Sequence, residues 1–460
     1  MVQGHMTMCR RPLPDRKLFD ELHRTVAPGD HYGLAFPISP KMLAEFGTAF
    51  LTKAFRASGV MSADNEVTEI VELKPVGVPG ASERSLLTLA YARDEPGLHT
   101  HLFAKFPPAD PDHKFGLIRL GSGEVDMQRL GSEIDLPVTT AKYYFGDHCA
   151  RTTNFILITE RIAFGVPPVE PAYRKGYDHE IGGVEEHYAL LARSLAHLVA
   201  AHKCGRLGPE IESLFPFGGA ARDFDPVRDA GAKIARLSTF VTQTAPQLFV
   251  AEAREPSFME RWAEDVLFGL EHKDAVIAYL HANRDYTGLC HPNLNVDNAW
   301  YWRDPAGRRH VGLLDWGGAG QMSIAQALSG MMMMPQPLRY AELVDLVLGT
   351  FVEELADKSG VVLDPAELRL QYKASLYSTA IAMILDIVVG ALDQVPVEAW
   401  ASLKSQSDLW LAETGLIAAI IWIDNILREW CEEMTPGDAC REIVARSAVP
   451  ERAAATLALG

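Results

Sequence analysis

Cys290-His291-Pro292-Asn293-Leu294-Asn295-Val296-Asp297-Asn298 leads into a β-rich run at 299–303, and a second run at 310–314 ends in Asp315-Trp316-Gly317-Gly318. Between the runs stands Asp304-Pro305-Ala306-Gly307. Proline presets φ and glycine supplies the positive φ of a tight reversal, so this is hairpin composition. The unit is therefore a polar loop, a hairpin and a carboxylate closing an apolar strand. Asp315 in that position is hard to account for as ordinary surface. Trp300, Trp302 and Trp316 read as packing residues.

Working outward, the chain changes period twice. Ser39-Pro40 is a helix start, a cap residue followed by proline at the first position. Leu43, Phe46, Phe50, Ala54 and Phe55 then recur at helical spacing up to a stop at Gly59. Short β-rich runs follow at 66–78, 85–92 and 100–106, separated by turn clusters. A short helix is expected over 123–134 and a buried strand over 155–160. Gly165-Val166-Pro167-Pro168-Val169-Glu170-Pro171 marks the main break. Beyond it the pattern is helical, at 184–202, 230–242, 258–283 and 338–434, with the hairpin as its one β insertion. This predicts an α+β fold: an N-terminal extension over 1–35, a strand-rich lobe over 36–165, and a helical lobe over 166–460 carrying the hairpin segment 290–318.

Composition limits the function classes. The chain has 460 residues, 48% apolar, enough to bury a substantial core. With 43 basic and 60 acidic side chains its formal charge is −17, which opposes a nucleic-acid-coating role. Six scattered cysteines, without a CxxC pair, read as reduced thiols rather than a disulfide or zinc scaffold. The first residues lack an apolar core of signal-peptide length. The apolar stretch at 375–392 holds Asp386 and no basic flank, so it reads as a buried helix rather than a membrane span. A cytoplasmic protein with a small-molecule partner, and no nucleic-acid or membrane partner, is expected.

The two opening stretches resemble the catalytic and metal-binding segments of the aminoglycoside phosphotransferase and choline-kinase-like superfamily, the ecdysteroid-kinase-like branch above all. Members carry His-Gly-Asp with an Asn five residues after the Asp, then a hairpin and an apolar strand ending Asp-Trp or Asp-Phe. Here the first reads His-Pro-Asn with Asn298 at that distance, and the second Leu-Leu-Asp-Trp. The resemblance implies a two-lobed protein-kinase-like fold and extends upstream. His101-Leu102-Phe103-Ala104-Lys105-Phe106 resembles the third-strand lysine motif. It implies Lys105 on the phosphates of ATP, Glu124 as its ion-pair partner with Glu133 as the fallback, and Phe155 to Ile162, with Glu160 and Ile162, as the strand and hinge whose backbone bonds adenine. Small residues from Gly77 to Ser82, Gly77 and Gly80 among them, would let the backbone approach the phosphates. Asn298 and Asp315 are implied as ligands of Mg²⁺, which prefers hard oxygen donors.

One departure matters. The superfamily's catalytic aspartate falls on Asn293, and an amide cannot take a proton. General-base help is worth roughly 10²- to 10⁴-fold. His291 is expected to organise the loop, and Asp297 is the nearest substitute base. The expected activity is ATP- and Mg²⁺-dependent phosphotransfer to a hydroxyl of a small molecule. The alternatives are other chemistry in the same pocket, either nucleotidyl transfer or an ATP-independent reaction, or a non-catalytic pseudokinase binding module. Met331 to Met334, Tyr340, Phe351, Tyr372, Tyr377, Trp400 and Trp410 point to a hydrophobic acceptor.

Overall fold

The computed structural model describes residues 14–76, 82–116, 120–217, 227–392, 395–406, 408, 411 and 416–448. The chain divides into two compact units.

The first unit comprises Met1–Ala172, Gly205–Ala220 and Asn298–Gln321. Within the region expected as an extension lies a helix, α1 (Arg16–Leu22), capped by Asp15. The Ser39 signal is used as read: its hydroxyl accepts the Met42 N–H at 3.2 Å and starts α2 (Pro40–Ala57). Gly47, at φ 63°, breaks this helix into two pieces, a conformation that favours glycine. Three strands follow, β1 (Val67–Val76), β2 (Glu83–Tyr91) and β3 (His101–Phe106). Two short helices, α3 (Pro111–Gly116) and α4 (Leu120–Glu133), precede β4 (Thr139–Thr140), β5 (Tyr143–Cys149) and β6 (Asn154–Glu160).

An antiparallel five-stranded sheet runs in the order β1-β2-β3-β6-β5. Leu87, Leu102, Ala104 and Phe106 join Leu51, Ala54 and Phe55 of α2 in a dry core. At the outer strand, Asp147 accepts the backbone N–H groups of His31 and Tyr32 at 3.0 and 2.9 Å. The backbone at His31 and Tyr32 is thus fastened to the sheet.

The hairpin strands β8 (Ala299–Arg303) and β9 (Arg309–Leu313) belong to this first unit, not to the helical part. The reason is pairing: β4 runs parallel to β9, Thr139 against Gly312 and Thr140 against Leu313. Gly312 is required there, because a Cβ would lie 2.1 Å from the indole of Trp300.

The second unit comprises Tyr173–Cys204, Ala221–Asp297 and Met322–Gly460. Its helices include α5 (Val184–Lys203), Pro256–Glu271, Lys273–Ala282, Ile324–Met331, Tyr340–Ser359, Pro365–Leu376, Ile417–Glu429 and Pro436–Ala448. The helix expected over 258–283 is two, parted at His272, and the run expected over 338–434 is broken by several turns. The stretch 375–392 is not one regular helix. Wider π-type turns occupy Tyr377–Ile381 and Ile384–Val388, and Asp386 pairs with Lys233. Among the described residues no helix is long and apolar enough to cross a membrane.

Candidate active site

The first group of site residues grows from strand alternation. Leu102, Ala104 and Phe106 are buried in the core, which turns Lys105 to the opposite face of β3. Helix α4 delivers Glu124, the residue after Gly123. A Cβ on Gly123 would lie 3.3 Å from the Gly317 carbonyl oxygen, so this glycine lets α4 pack closely on the 316–318 turn. The Lys105 Nζ lies 2.5 Å from Glu124 Oε2 and 2.7 Å from Asp315 Oδ1. Lys105 and Glu124 are enclosed, with side chains 12% and 8% exposed, whereas Asp315 is 44% exposed.

One ammonium is thus shared by two carboxylates. Burial works against the Lys105 charge, but Glu124 and Asp315 outweigh it and hold its pKa above the ordinary lysine value. Glu124 is pushed up, first by burial and further by the negative charge of Asp315, against the pull of Lys105. The cluster of three carries a net charge of about −1 when ionised.

Asp315 adopts φ 60° and ψ 54°, the left-handed region that aspartate tolerates better than most residues. Trp316 anchors the turn from inside: it is fully buried and its indole N–H donates to the Leu313 carbonyl at 3.3 Å. Asn298 precedes β8, and its carbonyl accepts the Leu314 N–H at 2.8 Å. Asn298 and Asp315 therefore bracket the open end of the hairpin.

The second group lies in the other unit, on the loop after β7 (Thr287–Cys290). His291 is fully buried, and its Nδ1 accepts the Asn293 N–H at 3.3 Å. The Asn293 Oδ1 accepts from the Nδ2 of Asn295 at 2.7 Å, and Asn295 itself is fully buried. A Cβ on Gly330 would sit 1.9 Å from the Pro292 carbonyl oxygen, so helix Ile324–Met331 abuts the loop backbone. Asp297 lies 3.4 Å from Lys175. Near it is Asp178, 4% exposed, which accepts the Tyr188 hydroxyl at 2.5 Å. Burial pushes the Asp178 carboxyl up to about 7, with the Asp297 charge adding, against Tyr188 and Lys175.

Of the remaining expectations, Glu160 ends β6 with its Oε1 accepting the Lys142 N–H at 2.8 Å, and half-buried Ile162 follows. Gly77 and Gly80 lie outside the described residues. Glu133 pairs with Arg129 on its own helix, 2.9 Å away. Met331, Met332, Met334, Tyr340, Phe351, Tyr372, Tyr377 and Trp400 are buried in the core, so they carry no statement about an acceptor. Trp410 lies outside the described residues.

Three residues went unread in the sequence. Asn295 sat in the quoted motif without a role, Arg84 pairs with Lys105 across β2 and β3, and Asp178 lies in an irregular stretch. Strand register was the only signal for Arg84, and Asp178 had none.

No family model matches the sequence, and no curated protein matches it. In structure the chain is similar to small-molecule kinases. A choline/ethanolamine kinase family protein from Mesorhizobium loti is 12% identical, over 76% of this chain and 92% of that one, with a TM-score of 0.37. A microcompartment-associated aminopropanol kinase is 12% identical, over 78% and 92%, with a TM-score of 0.42. The aminoglycoside phosphotransferase APH(3'')-Id from Streptomyces rimosus is 17% identical, over 73% and 97%, with a TM-score of 0.35. The ecdysteroid-kinase-like branch is not singled out.

Proposed function

We propose that this chain is an ATP- and Mg²⁺-dependent phosphotransferase acting on a small molecule, with Asn293 where its relatives by motif carry aspartate. The observation that supports it is the Lys105 ammonium held between Glu124 and Asp315. Phosphoryl transfer asks a protein chiefly for positioning and charge neutralisation. Lys105 on a sheet, fixed by a buried glutamate, is a positioned point charge for phosphate oxygens. Glu124 keeps that ammonium aimed and protonated.

The donor set at the hairpin mouth fits Mg²⁺. Asn298 and Asp315 offer amide and carboxylate oxygens. Among the described residues no three His, Cys, Asp or Glu side chains gather into a metal cage. Mg²⁺ suits such a site, since it keeps waters and takes nucleotide phosphates as ligands. When bound it neutralises charge on the transferred group. Asn293, steadied by Asn295 and by His291, would orient the acceptor oxygen without accepting its proton. Asp297 is held against Lys175.

A second reading, a nucleotide-binding module without turnover, is favoured by that amide. Thermal shift with ATP and Mg²⁺ tests the nucleotide site: a ligand at about 100 times its Kd adds about 2.7 kcal/mol, and no stabilisation refutes both readings. ATP consumption by Asn293→Asp then separates them. A measurable wild-type rate, changed in either direction by the substitution, supports the transferase. Zero rate in both supports the module.

A further inference from the structure

The charge count around Lys105 leaves a deficit. Lys105 is claimed by two carboxylates, so the group presents a net negative charge to any phosphate brought to it. A polyphosphate carrying three or four negative charges needs more cation than that. The sheet supplies one. Arg84 stands directly across from Lys105 in the β2–β3 register, and opposed residues of antiparallel strands share a face. Its neighbour Ser85 is fully buried on the other face. Arg84 is close enough that its positive charge acts on Glu124.

Among the described residues Arg84 makes no ion pair, and its Nε–H is shut off from solvent with no acceptor. A planar fork of donors beside a lysine is the arrangement that takes phosphate oxygens two at a time. We propose that Arg84 is a second polyphosphate-binding residue, acting with Lys105 as a cation pair on adjacent strands. Naming a nucleoside triphosphate as its ligand rests on the phosphotransferase reading. The anion site does not. The ligand chemistry is a chain of phosphates, free or carried by a nucleoside.

The test uses the full chain, wild type and Arg84→Ala, with MgATP and with magnesium tripolyphosphate. Losing charge-assisted hydrogen bonds worth about 1.5–3 kcal/mol raises Kd by roughly 10- to 100-fold, at about 1.4 kcal/mol per tenfold. Because Arg84 makes no hydrogen bond or ion pair among the described residues, Arg84→Ala should leave the ligand-free melting temperature within about 2 °C, a shift below 1 kcal/mol for a chain this large. Arg84→Lys should recover part of the affinity. Equal MgATP affinity in wild type and Arg84→Ala overturns the assignment, and so does a large ligand-free loss of stability. If wild type ignores MgATP but binds tripolyphosphate through Arg84, the anion site stands and the phosphotransferase reading fails. If wild type binds neither, both fall.

Discussion

Asp178→Asn isolates one carboxyl whose protonation the fold has changed. Asp178 is 4% exposed, with one side-chain hydrogen bond and the Asp297 charge nearby. Its pKa stands at about 7, against 3.8 for the ordinary group. Between those values the folded chain holds a proton that the unfolded chain has released. Stability must therefore fall as pH rises from about 4 to 7. Three units at 1.36 kcal/mol each give about 4 kcal/mol, an upper bound because water entry relaxes such a site. Asparagine carries no charge and can still accept from Tyr188. Urea denaturation of both proteins at pH 5, 6, 7 and 8 reads the difference. Asp178→Asn should be the more stable protein at pH 8, by up to about 4 kcal/mol, with the gap closing towards pH 5. Parallel pH profiles, or a variant weaker at pH 8, would refute this account of Asp178.

Three further outcomes follow from packing and charge. Gly330→Ala forces a methyl against the Pro292 carbonyl, so thermal melts should show a loss of about 1–3 kcal/mol and any turnover should fall with it. Lys373 and Glu429 form a 2.7 Å pair with both side chains 3% exposed, and Tyr340 donates to the same glutamate at 2.7 Å. Lys373→Met alone should cost about 3–5 kcal/mol in chemical denaturation, while pairing it with Glu429→Leu should recover much of that loss. Lys105→Met removes the ammonium that Glu124 and Asp315 share, so in thermal melts the added change Glu124→Gln should restore stability rather than lower it further.

What could be read from the chain alone was whatever local chemistry dictates. The Ser39-Pro40 start, the alternation of β3 and the hairpin at 304–307 need no distant partner. Lys105, Glu124 and Asp315 could be named as residues, but their meeting depends on strand register and on Gly123 admitting the 316–318 turn. β5 is masked in the sequence because Gly146-Asp147-His148 has turn composition, yet Asp147 is buried there by binding the backbone of residues 31 and 32. The hairpin lies among helices in sequence, and that alone places it with the helical lobe. Its pairing with β4, some 170 residues earlier, could not be seen locally. Asp178 was invisible for the same reason: burial and the charge of Asp297 are properties of the folded chain.

The proposed function makes Asn298 and Asp315, the latter paired with Lys105, the protein's ligands in a metal–nucleotide site. Electron paramagnetic resonance of Mn²⁺ in place of Mg²⁺ measures this directly, by counting bound metal with and without ATP. About one bound Mn²⁺ per chain is expected when ATP is present, weakened at least about tenfold by Asp315→Ala, in line with the loss of a charged ligand. Mn²⁺ binding that ignores ATP, or that survives Asp315→Ala unchanged, would contradict it.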